Sequence, residues 1–201
     1  EYGPTEGATA CQICEAGTNS QSGWASCCGK GNKYDNEKGL CSICTAGEYG
    51  PTEGTTACEN CEAGTNSQSG WASCCGKGNK YDKEKGLCAA CEVGKDSQSG
   101  WASCCGKGTK YLYDNETGVC AACEAGMYGP NAGATSCTDC ELHTYSKTQG
   151  AAVCDQCNAG TDSREGWMAC CGKGNKYDKE KGLCAACEVG KDSQSGWASC
   201  C

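Results

Sequence analysis

A chain of 201 residues with net charge -8 and 26 cysteines is incompatible with a reducing compartment and reads as a disulfide-framed extracellular protein. Leu, Ile and Val number only 11 and Phe is absent, which excludes a conventional hydrophobic core, because so little apolar burial does not offset the entropy of ordering the backbone. The isoelectric point near 4.7 argues against nucleic acid and anionic membranes as partners.

All the cysteines fall into thirteen doublets spaced 14 to 17 residues apart, eight of the form CxxC and five CC. Between doublets the chain runs through three kinds of loop, each close to C-x-x-G…G…C. The first is CEAGTNSQSGWASC at 14–27 and 61–74, with relatives at 91–104, 157–170 and 187–200, and it holds every tryptophan. The second is CGKGNKYDNEKGLC at 28–41, with relatives at 75–88 and 171–184 and a two-residue insertion at 105–120; it holds a tyrosine and most of the lysines. The third is CTAGEYGPTEGTTAC at 44–58 and CEAGMYGPNAGATSC at 123–137, with CELHTYSKTQGAAVC at 140–154 as a divergent member. Glycine three residues after the opening cysteine and again near the closing one marks turns. The loops are therefore expected to be short irregular β-hairpins, with almost no helix and strands of three or four residues at most.

Residues 1–47 match 48–94 at 39 of 47 positions, so the chain is a tandem array. Approximate units are 1–47, 48–94, 95–126 and 127–201, one continuous array expected to be cut from a longer protein. Stacked units of this kind share no common core, and the expected architecture is an elongated, solenoid-like rod.

The two cysteines of a doublet are separated by one or three positions. In extended backbone their sulfurs therefore leave opposite faces and serve different loops. This favours a ladder: Cys14 with Cys27, Cys28 with Cys41, Cys44 with Cys58, Cys61 with Cys74, Cys75 with Cys88, Cys91 with Cys104, Cys105 with Cys120, Cys123 with Cys137, Cys140 with Cys154, Cys157 with Cys170, Cys171 with Cys184 and Cys187 with Cys200. The template then puts the partners of Cys11 and Cys201 beyond the two ends. The rival pattern joins both cysteines of one doublet to both of the next and strands a whole doublet, and vicinal bonding within CC is strained. Closing a loop of about 14 residues contributes at most roughly 3 kcal/mol in the chain-entropy account.

Four cysteines such as Cys41, Cys44, Cys58 and Cys61 have zinc-ribbon spacing, but they belong to a continuous series with CC pairs that a tetrahedral site does not use. A redox CxxC needs a helix N-terminus, which these loops lack. His143, the one histidine, reads as a surface residue. With no Ser-His-Asp set or phosphate loop, the expectation is no enzyme, no metal and no cofactor. The Lys, Asp and Glu clusters such as Tyr34 to Lys38 read as solvated turns rather than calcium cages. Trp24, Trp71, Trp101, Trp167 and Trp197 each stand three residues before a closing cysteine. They are read as local packing over a disulfide, with lateral contact or carbohydrate stacking as the functional alternatives. Asn115 heads the only N-glycosylation sequon.

The loops at 123–137 and 140–154, with their CxxC doublets, resemble the ephrin-receptor-like and tumour-necrosis-factor-receptor-like cysteine-rich repeats. The resemblance implies a rod of small crosslinked modules, of a kind found in animal receptors, protist surface antigens and the proteins of algal flagellar hairs, or mastigonemes. The CC-G-K-G-N-K-Y loop departs from the animal pattern, which turns the expectation away from a receptor and toward a protist or algal source, while the near-identical units point to a structural shaft of a glycosylated extracellular filament or hair. Its partners would then be copies of itself or neighbouring filament chains. The alternative is a surface antigen or receptor ectodomain that binds a soluble partner.

Overall fold

The computed structural model describes residues 1–3, 11–114 and 117–201. Among the described residues there is no helix, and the strands form eleven two-stranded antiparallel sheets. Loops of the first and third kinds pair the fourth and fifth residues after the opening cysteine with the two that follow the closing one. Thr18–Asn19 thus pairs with Cys28–Gly29, and Glu48–Tyr49 with Glu59–Asn60. In the second kind the pairing widens to four residues a side, Asn32–Asp35 with Leu40–Ile43 and Asn79–Asp82 with Leu87–Ala90. At 105–120 the two inserted residues lengthen both strands, so Thr109–Asp114 pairs with Thr117–Ala122. These six-residue strands exceed the three or four expected, because the insertion extends the hairpin arms in register rather than enlarging the turn.

Twelve disulfides each close one loop, running from the second cysteine of a doublet to the first of the next, from Cys14–Cys27 through to Cys187–Cys200. Their Cα atoms lie 5.4 to 5.8 Å apart, within the ordinary range for a bridge. Cys41, Cys44, Cys58 and Cys61 are spent on three different bridges, so their thiolates are not available to a metal.

The chain forms two compact units, one of Glu1–Glu92 with Ser97–Cys104, the other of Val93–Asp96 with Cys105–Cys201. Within each unit, successive loops that meet at a CxxC doublet are joined by the same three backbone hydrogen bonds. In the first unit, Gly31 N–H donates to Gly50 O, Tyr34 N–H to Thr55 O and Gly54 N–H back to Cys28 O, at 2.9 to 3.0 Å. The set recurs between 75–88 and 91–104 as Gly78 to Ser97, Tyr81 to Trp101 and Gly100 to Cys75. In the second unit it recurs between 171–184 and 187–200 as Gly174 to Ser193, Tyr177 to Trp197 and Gly196 to Cys171. Where the acceptor loop is of the first kind, a buried serine adds a fourth bond: Ser67 Oγ donates to Glu48 O and Ser163 Oγ to Thr144 O, both at 2.7 Å.

Burial follows the sulfur and the rings. Cys28, Cys44, Cys75, Cys105, Cys123, Cys140 and Cys171 are fully buried, and Trp24, Tyr34, Trp71, Tyr81, Trp101, Tyr111, Trp167 and Tyr177 are nearly so. All eleven Leu, Ile and Val side chains are exposed, from Leu112 at 42% to Val189 at 106%. The aliphatic residues therefore contribute little to holding either unit together.

Candidate functional site

The recurring feature is the junction at the CC doublets Cys27–Cys28, Cys74–Cys75 and Cys170–Cys171. There the tryptophan of a first-kind loop stacks on the tyrosine of the following hairpin. Trp24 lies on Tyr34 with ring centroids 4.0 Å apart and planes at 8°, Trp71 on Tyr81 at 4.2 Å, and Trp167 on Tyr177 at 4.1 Å. The tyrosine hydroxyl then accepts a backbone N–H from the residue after the tryptophan: Ala25 at 3.1 Å, Ala72 at 2.9 Å and Met168 at 3.1 Å. The tryptophan carbonyl accepts from the loop before, Gly50 N–H to Trp71 O and Ser146 N–H to Trp167 O. One residue thus ties three successive loops. Stacked rings of this kind contribute about 0.5–1.5 kcal/mol beyond their area.

A CC doublet permits this contact because the closing cysteine of one loop is followed at once by the opening cysteine of the next. Cys28 is already the first residue of the paired strand Cys28–Gly29. Its bridge to Cys41 then sits under the ring pair, Trp24, Cys28 and Tyr34 forming one cluster with Cys41 packed against it. Sequence reasoning placed each indole over a disulfide but missed the tyrosine. The signal was present: Tyr34, Tyr81 and Tyr177 stand ten residues after Trp24, Trp71 and Trp167. With Trp24, Trp71, Trp101 and Trp167 between 6% and 8% exposed, these indoles offer no open face for stacking on a sugar. Trp197 is half-buried, and its carbonyl accepts Tyr177 N–H at 3.0 Å.

The charged clusters of the hairpins are closed on themselves. Asp82 Oδ1 accepts the N–H groups of Glu84 and Lys85, both at 3.1 Å, while its Oδ2 lies 3.4 Å from Lys85 Nζ. Asp35 and Asp178 make the same turn with Lys38 and Lys181. In all three the backbone N–H of that lysine is the main cause that holds the carboxyl below its usual value of 3.8. Tyr49 donates its hydroxyl to Glu59 at 2.7 Å, and this bond raises its pKa above 10.0.

His143 stands where other loops have glycine and adopts φ 66°, the only positive φ at a non-glycine among the described residues. Its ring Nδ1 lies 2.6 Å from Asp162 Oδ1, and the ring is exposed. In the second unit an open cleft of about 390 Å³ is lined by Asp139, Glu165, Trp167, Met168, Tyr177 and Lys179. Among the described residues no group of His, Cys, Asp and Glu has the arrangement of a metal site. Cys11 and Cys201 are exposed and unbridged within residues 1–201, and Asn115 lies outside the described residues.

A family model described as tyrosine-protein kinase ephrin type A/B receptor-like matches residues 108–157. No curated protein matches the chain. The matched segment takes in the loops at 123–137 and 140–154, and its disulfide-closed hairpin plan continues through both units. The protein is thus a cysteine-rich repeat array of small disulfide-bonded hairpins with an ephrin-receptor-like segment. Such a framework marks an extracellular or cell-surface protein, a receptor-like or structural repeat. No helix among the described residues is long and apolar enough to cross a membrane.

Proposed function

We propose that the chain is repeat material of a disulfide-crosslinked extracellular filament or hair of the mastigoneme kind, with a structural rather than catalytic role. The observation that carries this reading is repetition at two levels. Residues 1–47 and 48–94 share 39 of 47 positions, and the same three backbone bonds recur from loop to loop within each unit. A surface presented again and again suits self-association with copies of the same chain, and a heterologous contact that does not close generates a filament. Glycans on Asn115 would coat such a shaft. Antibodies against the array, used with gold labelling in electron microscopy, should decorate fibres along their length. Labelling confined to the plasma membrane, with no fibre, would sink the proposal.

A second reading, a surface antigen or receptor ectodomain, draws on the ephrin-receptor-like match and on local departures from the repeat. His143, Arg164, Glu165 and Met168 replace residues that other loops hold in common, and Glu165 and Met168 line the cleft beside Trp167. A soluble partner recovered on that face, lost with Met168→Ala and Glu165→Gln, would favour this reading.

A further inference from the structure

Charge along this acidic chain is segregated by loop type. The second-kind hairpins, at 28–41, 75–88, 105–120 and 171–184, hold 13 of the 17 basic residues and 8 of the 25 acidic ones. They carry net +5, and the rest of the chain carries -13. In the first unit, the hairpins at 28–41 and 75–88 flank residues 44–74, which contain four glutamates and no lysine or arginine. In the second unit, residues 123–170 carry net -4 and are followed by a hairpin of net +2.

The hairpin geometry turns this pattern outward. Tyr81 faces inward, so Lys80 and Asp82 stand on the opposite side of their strand. Lys80 sits across from Ala89 and Lys176 across from Ala185, small residues beside which both lysines are exposed, whereas Lys33, across from Ser42, is half-buried. The aspartates are engaged by their own turns, as described above. Lys80, Lys83, Lys176 and Lys179 are exposed, and so are Glu59, Glu62, Asp139 and Glu141 in the acidic stretches.

We infer that these faces form a self-complementary docking surface whose occupant is a second copy of this chain, basic hairpins of one copy seated on acidic loops of the other. The inference rests on the filament reading and names its lateral contact. Two copies in identical register place like charges together, and a shift from hairpin to acidic loop brings opposite charges together. The pattern therefore selects both partner and register.

The test compares the oxidised wild-type chain with a variant of unchanged net charge, Lys83→Glu, Lys179→Glu, Glu62→Lys and Glu141→Lys, by sedimentation at about 20 mM and about 500 mM salt, where screening lengths differ several-fold. Peptide mapping of the disulfides and protease resistance establish that the variant has folded. Wild-type association should weaken about tenfold or more at high salt, and the variant should associate at low salt only as weakly as wild type does at high salt. Equal assembly at both salts and in the variant would overturn the charge contact while leaving the filament reading intact. A wild-type chain that stays monomeric at both salts would overturn both. If that monomer bound a sulfated polysaccharide resin through the same lysines, the partner would be an anionic glycan instead.

Discussion

At the scale of single residues, backbone conformation and one hydroxyl carry much of the order. Gly31 has φ 78°, and a methyl group on it would overlap the Gly70 carbonyl two loops on. Gly31→Ala should therefore destabilise the first unit by about 2–4 kcal/mol, through left-handed strain plus steric conflict. Amide exchange at Gly50 and Gly70 would register it, and unchanged protection would refute the packing account. His143 occupies the same kind of position with a side chain, at a conformational cost of roughly 1 kcal/mol set against an exposed pair with Asp162 that is worth little. Replacing it with glycine should leave the second unit as stable or more so by up to about 1 kcal/mol, read by local exchange at Cys157 N–H. The substitution of His for Gly in CELH was visible in the sequence. Its hydrogen-bond partner was not, because Asp162 lies 19 residues away.

For the element, the junction is the unit of stability. Tyr81→Phe removes the acceptor of Ala72 N–H at a buried position, and the unsatisfied donor should cost about 1–3 kcal/mol. Because such arrays couple mainly to neighbours, exchange protection should fall around 71–88 and hold near 11–20. Uniform loss across the unit would contradict that locality. At the hairpin tips, Asp35, Asp82 and Asp178 have carboxyls depressed below 3.8 by the backbone N–H donors of their turns. A depressed acid contributes stability that is present above its unfolded pKa and lost as pH falls through the folded one. The tips should thus be ordered at neutral pH and loosen only in acid below about pH 4, with Lys38, Lys85 and Lys181 amides losing protection first. A carbon-detected titration that placed these carboxyls above 3.8 would contradict the turn geometry.

For the whole molecule, order rests on crosslinks. All eleven Leu, Ile and Val side chains are exposed, so what remains after reduction is a handful of ring pairs and backbone bonds. Full reduction and alkylation should abolish near-ultraviolet dichroism and protease resistance in both units, whereas heating the oxidised chain should do little. Retention of either signal after reduction would refute the energetic argument.

What the sequence determined by itself is local and periodic: loop boundaries at the cysteines, turns at the glycines, hairpins in place of helices, and the absence of an aliphatic core. These features depend on residues within 15 positions of one another, where spacing and parity constrain geometry directly. Tertiary structure decided what lies between loops. It chose tyrosine as the partner of each described stacked tryptophan, made the CC doublet the place where rings meet and the CxxC doublet the place where three backbone bonds form. It also turned Lys80 and Lys176 to the outer face. Those outcomes depend on how one hairpin is set against the next, which is governed by backbone hydrogen bonding and ring contact across loops rather than by any spacing within one.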